Sequence, residues 1–321
     1  MSLSPLGRIV EIAEDGRYLS KDRGFLVVQV QREEVGRVPL DDLLAVIATA
    51  PSTTTSCVLL AELAARGISF VVCGRNFAPA ALLWPTAGHH AQQRRMEAQI
   101  EQTRPLAKRL WAEIVSAKLR RQGWALARAG CPSGAFERLA REVRSGDPDN
   151  REAQGARRYW RLLLGPEFRR DVDGGGTNAL LNYGYAVLRA ATARAIAATG
   201  LHPGIGIFHR HPHNAMPLAD DLMEPFRPIV DAMVHDLLTE GIGEVSVTAK
   251  RRLAGVLLID EITPAGRTPL GTCIHRLAAS VAESFLSGIP DLTFPILERL
   301  PATDAEMEEA APGEPGGGTS W

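Results

Sequence analysis

The hydrophobic pattern of the chain changes period once, and that change constrains the fold more than any single motif does. In the first part the apolar residues fall in short β-branched or alternating runs: Arg8-Ile-Val-Glu-Ile, Phe25-Leu-Val-Val-Gln-Val-Gln beside Lys21-Asp-Arg-Gly, Glu34-Val-Gly-Arg-Val and Ile68-Ser-Phe-Val-Val-Cys. Such runs fit a pleated, half-buried surface and predict strands. One short helix interrupts them, beginning at Cys57 and ended by Gly67. From Gln92 onward the period is helical. The predicted fold class is therefore α+β: a small β-rich N-terminal domain over 1–78, a linker over 79–91, a larger all-α domain over 92–303 and a tail over 304–321.

Within the helical part, Arg151 to Leu164 reads as a helix with Asp149 or Asn150 as its cap and Gly165-Pro166 as its stop. Asn178 to Thr199 reads as another, stopped by Gly200. Leu222, Phe226, Ile229, Met233 and Leu237 recur at helical spacing, which places Glu224 in the first turn of a helix whose start Pro225 and Pro228 make irregular. A further amphipathic helix is predicted over 275–286.

With 321 residues, 45% of them apolar, the chain can bury a large core and is long enough for two domains. No apolar run approaches the roughly 18 residues that span a bilayer. The start Met1-Ser-Leu-Ser-Pro lacks the basic-then-apolar order of a signal peptide, so a cytoplasmic protein without membrane contact is expected. Cys57, Cys73, Cys131 and Cys273 are far apart and form no C-x-x-C pair, which removes zinc-ribbon and thioredoxin-like readings.

The formal net charge of −1 conceals an uneven distribution, because Asp304, Glu306, Glu308, Glu309 and Glu314 lie in a tail with no Lys or Arg. That acidic, Pro- and Gly-rich tail is expected to be disordered. Residues 91–130 instead hold nine basic residues against three acidic ones. Arg94, Arg95, Lys118, Arg120 and Arg121 from that segment, with Arg157 and Arg158, are candidates for a phosphate-binding surface.

One stretch concentrates chemistry. Asp220, Asp221 and Glu224 lie in Leu-Ala-Asp-Asp-Leu-Met-Glu-Pro-Phe-Arg-Pro, just after a segment holding His202, His209, His211 and His213. Mixed imidazole and carboxylate donors are a set that divalent metals take, so a metal site is the first functional expectation. Each residue also has an ordinary reading. Acids cap helices, and histidines flanked by Pro or Arg can face solvent. Glu152 shares a helix face with Ala156, Tyr159 and Leu163, yet the helix dipole alone favours a first-turn Glu.

Four segments in order narrow these alternatives: Glu152-Ala-Gln-Gly-Ala-Arg-Arg-Tyr-Trp, Asn178-Ala-Leu-Leu-Asn-Tyr-Gly-Tyr-Ala, Gly200-Leu-His-Pro-Gly-Ile-Gly-Ile-Phe-His and Asp221-Leu-Met-Glu-Pro-Phe-Arg. Together they resemble the CRISPR adaptation integrase family Cas1, over essentially residues 5–300, and their wording looks like that of the type II branch. By that resemblance Glu152, His209 and Glu224 are the catalytic metal ligands, holding Mg²⁺ or Mn²⁺. Asp221 matches an acidic position one helical turn before the last ligand, Tyr159 an aromatic position near the site, and Arg227 is placed to pair with a site carboxylate or a phosphate.

The resemblance further implies insertion of a short double-stranded DNA fragment into CRISPR repeat DNA, with the fragment's 3′-hydroxyl attacking a phosphodiester of the repeat. It implies a homodimer built through the β-rich domain, and two such dimers bridged by the Cas2 subunit in a heterohexamer. No Ser/His/Asp triad or P-loop offers a different chemistry. Two other classes use overlapping features. A stand-alone metal-dependent nuclease on branched or single-stranded DNA would use the same ligands without a bridging subunit, and a non-catalytic DNA-binding assembly subunit would tolerate their loss.

Overall fold

The structure is a computed structural model that describes residues 8–74, 79–83, 85, 89–209 and 211–297. The acidic tail and part of the expected linker lie outside the described residues. The N-terminal part runs β1 (Arg8–Ile12), β2 (Tyr18–Asp22), β3 (Phe25–Val30), β4 (Glu33–Pro39), β5 (Leu43–Ala48), β6 (Thr54–Thr55), α1 (Cys57–Ala65), β7 (Ser69–Cys73) and β8 (Pro79–Leu82). These strands form two sheets, ordered β1-β5-β7-β8 and β4-β3-β2-β6. In the first, β1, β5 and β7 are parallel and β8 runs antiparallel to β7, so the described start of the segment expected as linker is paired strand. The second is a β2-β3-β4 meander with β6 added parallel to β2.

β5 reads Leu-Leu-Ala-Val-Ile-Ala without alternation because both of its faces are covered. Successive side chains point to opposite faces. Val46 accordingly packs with Leu19, Leu59, Leu63 and Phe70 in the N-terminal core, whereas Ile47 joins the helical core. Glu11 of β1 ties the two parts together, accepting hydrogen bonds from the Tyr183 hydroxyl and the Lys250 ammonium, each at 2.9 Å.

The helical part comprises α2 (Gln92–Ile100), α3 (Arg104–Arg128), α4 (Ala135–Arg141), α5 (Arg151–Leu163), α6 (Thr177–Ala198), α7 (Pro217–Met223), α8 (Arg227–Thr239), α9 (Val247–Ala254) and α10 (Leu270–Ser287). α3, the longest at 25 residues, is contacted by α4, α5 and α8. A side chain at Gly155 of α5 would place its Cβ 2.3 Å from Leu119 Cδ2 of α3, so glycine sets how closely these helices approach. That approach brings Glu152 up to α3.

The expectation of an all-α second part is corrected by β9 (Asp260–Thr263) and β10 (Gly266–Pro269), an antiparallel hairpin ahead of α10. Its β-branched Ile262, Thr263 and Thr268 flank the turn at Pro264-Ala265, and the hydroxyls of Thr263 and Thr268 meet at 3.0 Å. Among the described residues, no helix is long and apolar enough to cross a membrane.

Candidate active site

Glu152 is fixed by the start of its helix. Asn150, in left-handed conformation at φ 53°, accepts a hydrogen bond from the Ala153 amide, and the Asp147 carboxylate accepts from the amides of Arg151 (2.8 Å) and Glu152 (3.0 Å). Donors that a helix N-terminus leaves unpaired are thus satisfied by side chains. The Glu152 carboxylate is left to turn toward α3.

His209 ends a loop folded around one carboxylate. Asp221, fully buried, accepts hydrogen bonds from the backbone amides of Ile207 (2.6 Å), Phe208 (3.0 Å) and His209 (3.1 Å), and from the His209 ring Nδ1 at 2.6 Å. A carboxylate can only accept, so Nδ1 carries the hydrogen and Nε2 is the nitrogen left for other chemistry. A Cβ on Gly206 would lie 2.6 Å from the His209 carbonyl oxygen and 3.0 Å from Asp221 Oδ2, so glycine is needed for this wrap. Buried Gln99 holds the loop from behind, donating to the carbonyls of His202 and Ile205 and accepting from the His202 amide. Phe208 stacks on Trp111 of α3 with ring centroids 4.2 Å apart.

Glu224 opens a single 3₁₀ turn, Glu224–Phe226, between α7 and α8. Pro225 and Pro228 forbid one continuous helix there. The carboxylate is buried between two cations. Arg227 lies 2.5 Å from Oε1 and the Lys118 ammonium 2.6 Å from Oε2, and the same ammonium donates to Glu152 Oε1 at 2.7 Å. Burial pushes the Glu224 carboxyl up, but Arg227 and Lys118 outweigh it and hold the group at about 2. Burial presses Lys118 toward neutrality, yet Glu224 and Glu152 raise its proton affinity above the ordinary value. His209 is raised chiefly by its hydrogen bond to Asp221, against burial, with further contributions from Glu224 and Glu152.

Beneath the site, Asp231 accepts hydrogen bonds from the hydroxyls of Tyr159 and Tyr185. The Tyr185 ring also carries the Arg227 guanidinium at 4.4 Å. Burial outweighs the two tyrosines and drives the Asp231 carboxyl from 3.8 up to about 7. The native state therefore keeps a proton that the unfolded chain releases at lower pH. Asp231 costs no stability below about pH 4, and stability falls as pH rises toward 7, by roughly 1.4 kcal/mol per pH unit at most. Asp231→Asn cannot ionise and keeps one acceptor and one donor for the tyrosines. Urea unfolding at pH 5 and pH 8 should show a smaller loss of stability in the variant than in the wild type; equal losses would rule out a proton on Asp231.

Glu152, His209 and Glu224 offer two carboxylates and one imidazole whose Nδ1 is already held by a carboxylate, a donor chemistry that suits a divalent cation. Glu224 Oε2 adds a second sign of fit: it is buried, and what it faces is already a cation, the Lys118 ammonium at 2.6 Å. Among the described residues, no three His, Cys, Asp or Glu side chains are gathered closely enough to enclose a metal ion as they stand. The Lys118 ammonium lies between the two glutamates instead.

The profile of the family described as CRISPR associated protein Cas1 matches residues 10–263. The chain belongs to the Cas1 family. It is 39% identical over 232 residues to a CRISPR-associated endonuclease Cas1 from Neisseria meningitidis serogroup C, covering 72% of this chain and 76% of that one. Its fold is similar to that of a casposase bound to integration product, with TM-score 0.76 and 19% identity over 95% of this chain and 99% of the other. A Cas6-RT-Cas1–Cas2 complex superposes with TM-score 0.71 and 17% identity, covering 91% of this chain and 36% of that one.

Of the residues that the Cas1 resemblance singled out, Glu152 and Glu224 meet on Lys118, Asp221 holds His209, and Arg227 pairs with Glu224. Tyr159 is buried below them, with its hydroxyl on Asp231. Asp220 turns away to Arg189 at 2.6 Å, and His211 and His213 are exposed. The basic surface needs correction at three positions. Lys118 is 9% exposed between carboxylates, and Arg121 is 5% exposed and paired with buried Glu261 at 2.5 Å, because both sit on the packed face of α3. Arg95 is spent on the Thr199 carbonyl and Glu283. Arg94, Arg157 and Arg158 are exposed, and Arg120 is half-buried near Glu137.

Lys118 as a bridge, Asp147 as a cap, Gln99 and Trp111 behind the loop, and Asp231 were all missed from the sequence. Lys118 left one usable signal. It falls on the apolar stripe Trp111, Ile114, Val115, Leu119, Ala125 and Leu126 of α3, where a solvated lysine does not belong.

Proposed function

We propose that the chain is a metal-dependent DNA integrase and endonuclease of CRISPR adaptation, which inserts short double-stranded fragments into repeat DNA. The observation that carries this reading is that Glu152 and Glu224, from separate segments, meet on one ammonium, with His209 held by Asp221 three residues before Glu224, in a member of the Cas1 family. A divalent cation, Mg²⁺ or Mn²⁺, held by these three residues would supply Lewis-acid polarisation of the phosphoryl group and stabilise the leaving 3′-oxygen.

The chain's own residues do the remaining work. Asp221 keeps the His209 ring in one tautomer and orientation, and Arg227 fixes Glu224 by pairing with Oε1. The nucleophile is the 3′-hydroxyl of the fragment: its oxygen forms a new bond to phosphorus as the bond to the repeat's 3′-oxygen breaks, so the protein forms no covalent intermediate. Arg157 and Arg158, exposed on the helix that carries Glu152, and Arg94 are the described residues best placed for phosphate contacts. The Cas2 partner and the homodimer come from likeness to the family, and one similar structure is itself a complex with Cas2.

The test is strand transfer of a fragment into a repeat-bearing plasmid with Mn²⁺ and the Cas2 subunit. Joined product is expected; metal-dependent cleavage without joining would favour a stand-alone nuclease. A second expectation separates surface from core. Reversing Arg157 and Arg158 to Glu should weaken binding to unrelated DNA sequences and lower the salt slope by about 0.9 per lost phosphate contact. Arg121→Ala should instead cost about 3–5 kcal/mol of stability by stranding buried Glu261. An unchanged salt slope in the double reversal would remove those arginines from the DNA surface.

A further inference from the structure

The Lys118 ammonium contacts both glutamates assigned above, at 2.7 Å from Glu152 Oε1 and 2.6 Å from Glu224 Oε2. Two features set it apart from a structural ion pair. Glu224 already has a dedicated cation, Arg227 on Oε1, so Oε2 is its spare oxygen. That oxygen is buried, and the cation it faces at 2.6 Å is one that it shares with Glu152. A buried Glu224 and a partly buried Glu152 facing each other without a cation would be unfavourable.

Resting on the ligand assignment of the proposed function, we propose that Lys118 is the resident counter-ion of the Glu152 and Glu224 pair, and that a divalent cation takes both carboxylates only by displacing its ammonium. Metal entry is then an exchange of one cation for another. Lys118 stabilises the metal-free protein and weakens its affinity for the metal. The sign of this effect is distinctive, because a lysine that merely supports the site would weaken metal binding when removed.

The experiment measures Mn²⁺ binding to full-length, DNA-free protein by electron paramagnetic resonance of the free ion, alongside thermal unfolding with and without Mn²⁺. Lys118→Met should bind Mn²⁺ about tenfold or more tightly than wild type, the effect of removing one unit charge at close range even where screening is strong. Its metal-free form should melt at a lower temperature and regain stability on adding Mn²⁺. Lys118→Gln, which retains a donor for Glu152, should tighten binding in the same direction if the methionine variant folds poorly, while Lys118→Arg should stay near wild type. Equal or weaker binding by both neutral variants overturns the proposal. Glu152→Gln is the separate control: if it binds Mn²⁺ as the wild type does, the ligand assignment fails instead.

Discussion

Glu152→Ala, His209→Ala and Glu224→Ala should each lower strand transfer by about a thousandfold or more, since losing the bound cation forfeits several kcal/mol of transition-state stabilisation. Their effects on the fold should differ. Glu152 and His209 are partly exposed, so truncating them should leave the protein folded and its DNA affinity largely intact. Glu224 is 2% exposed between Arg227 and Lys118, so its alanine variant strips Arg227 of its carboxylate, leaves Lys118 with Glu152 alone and should also lose about 3–5 kcal/mol of stability. Glu224→Gln keeps the volume and one acceptor, and separates the catalytic loss from the structural one. His211→Ala and His213→Ala, at exposed positions, should be mild. Full activity in His209→Ala with loss in His211→Ala would mean the wrong histidine has been assigned.

Asp221→Ala should be the next most damaging change, although Asp221 is assigned no contact with substrate. Its carboxylate accepts from three consecutive amides and from the His209 ring, and all four donors would lose their partner together. A buried unmet donor costs about 1–3 kcal/mol, so a stability loss of several kcal/mol is expected. Outer-shell partners of ligating histidines are worth about 10–100-fold in metal affinity or activity, and Asp221→Ala should fall at the severe end because the loop loosens as well. Asp221→Asn retains an acceptor for the amides but not the charge on the imidazole, so it should be more stable than the alanine variant and still impaired in Mn²⁺ binding. Wild-type metal affinity in Asp221→Asn would contradict the orienting role.

The local features of the site were written in the sequence, while the contacts across it were not. Asn150 as a cap, the helix from Arg151 and the proline-broken start at Glu224 all follow from rules that operate within a few residues, and the structure has them. The convergence of Glu152 with Glu224 could be expected only through likeness to a family, because no periodicity links positions that far apart. Lys118 and Arg121 misled for the same reason. A basic segment reads as solvated until its partners are known, and those partners, Glu152, Glu224 and Glu261, lie 34 or more positions downstream. The β9-β10 hairpin was hidden because its strands are short and stand inside a helical stretch. Tyr159 was placed near the site by the family resemblance, but its task under Asp231 could not be foreseen, because nothing local marks Asp231 as the carboxylate that two tyrosines share.

Anomalous diffraction from crystals grown with Mn²⁺ would show whether one divalent cation sits among Glu152, His209 and Glu224. An anomalous peak is expected within coordinating distance of both carboxylates and of His209 Nε2, with the Lys118 ammonium moved off the glutamates. A protein active in Mn²⁺ whose anomalous peaks all lie elsewhere, for instance among Asp220, His211 and His213, would rule out Glu152, His209 and Glu224 as the ligands.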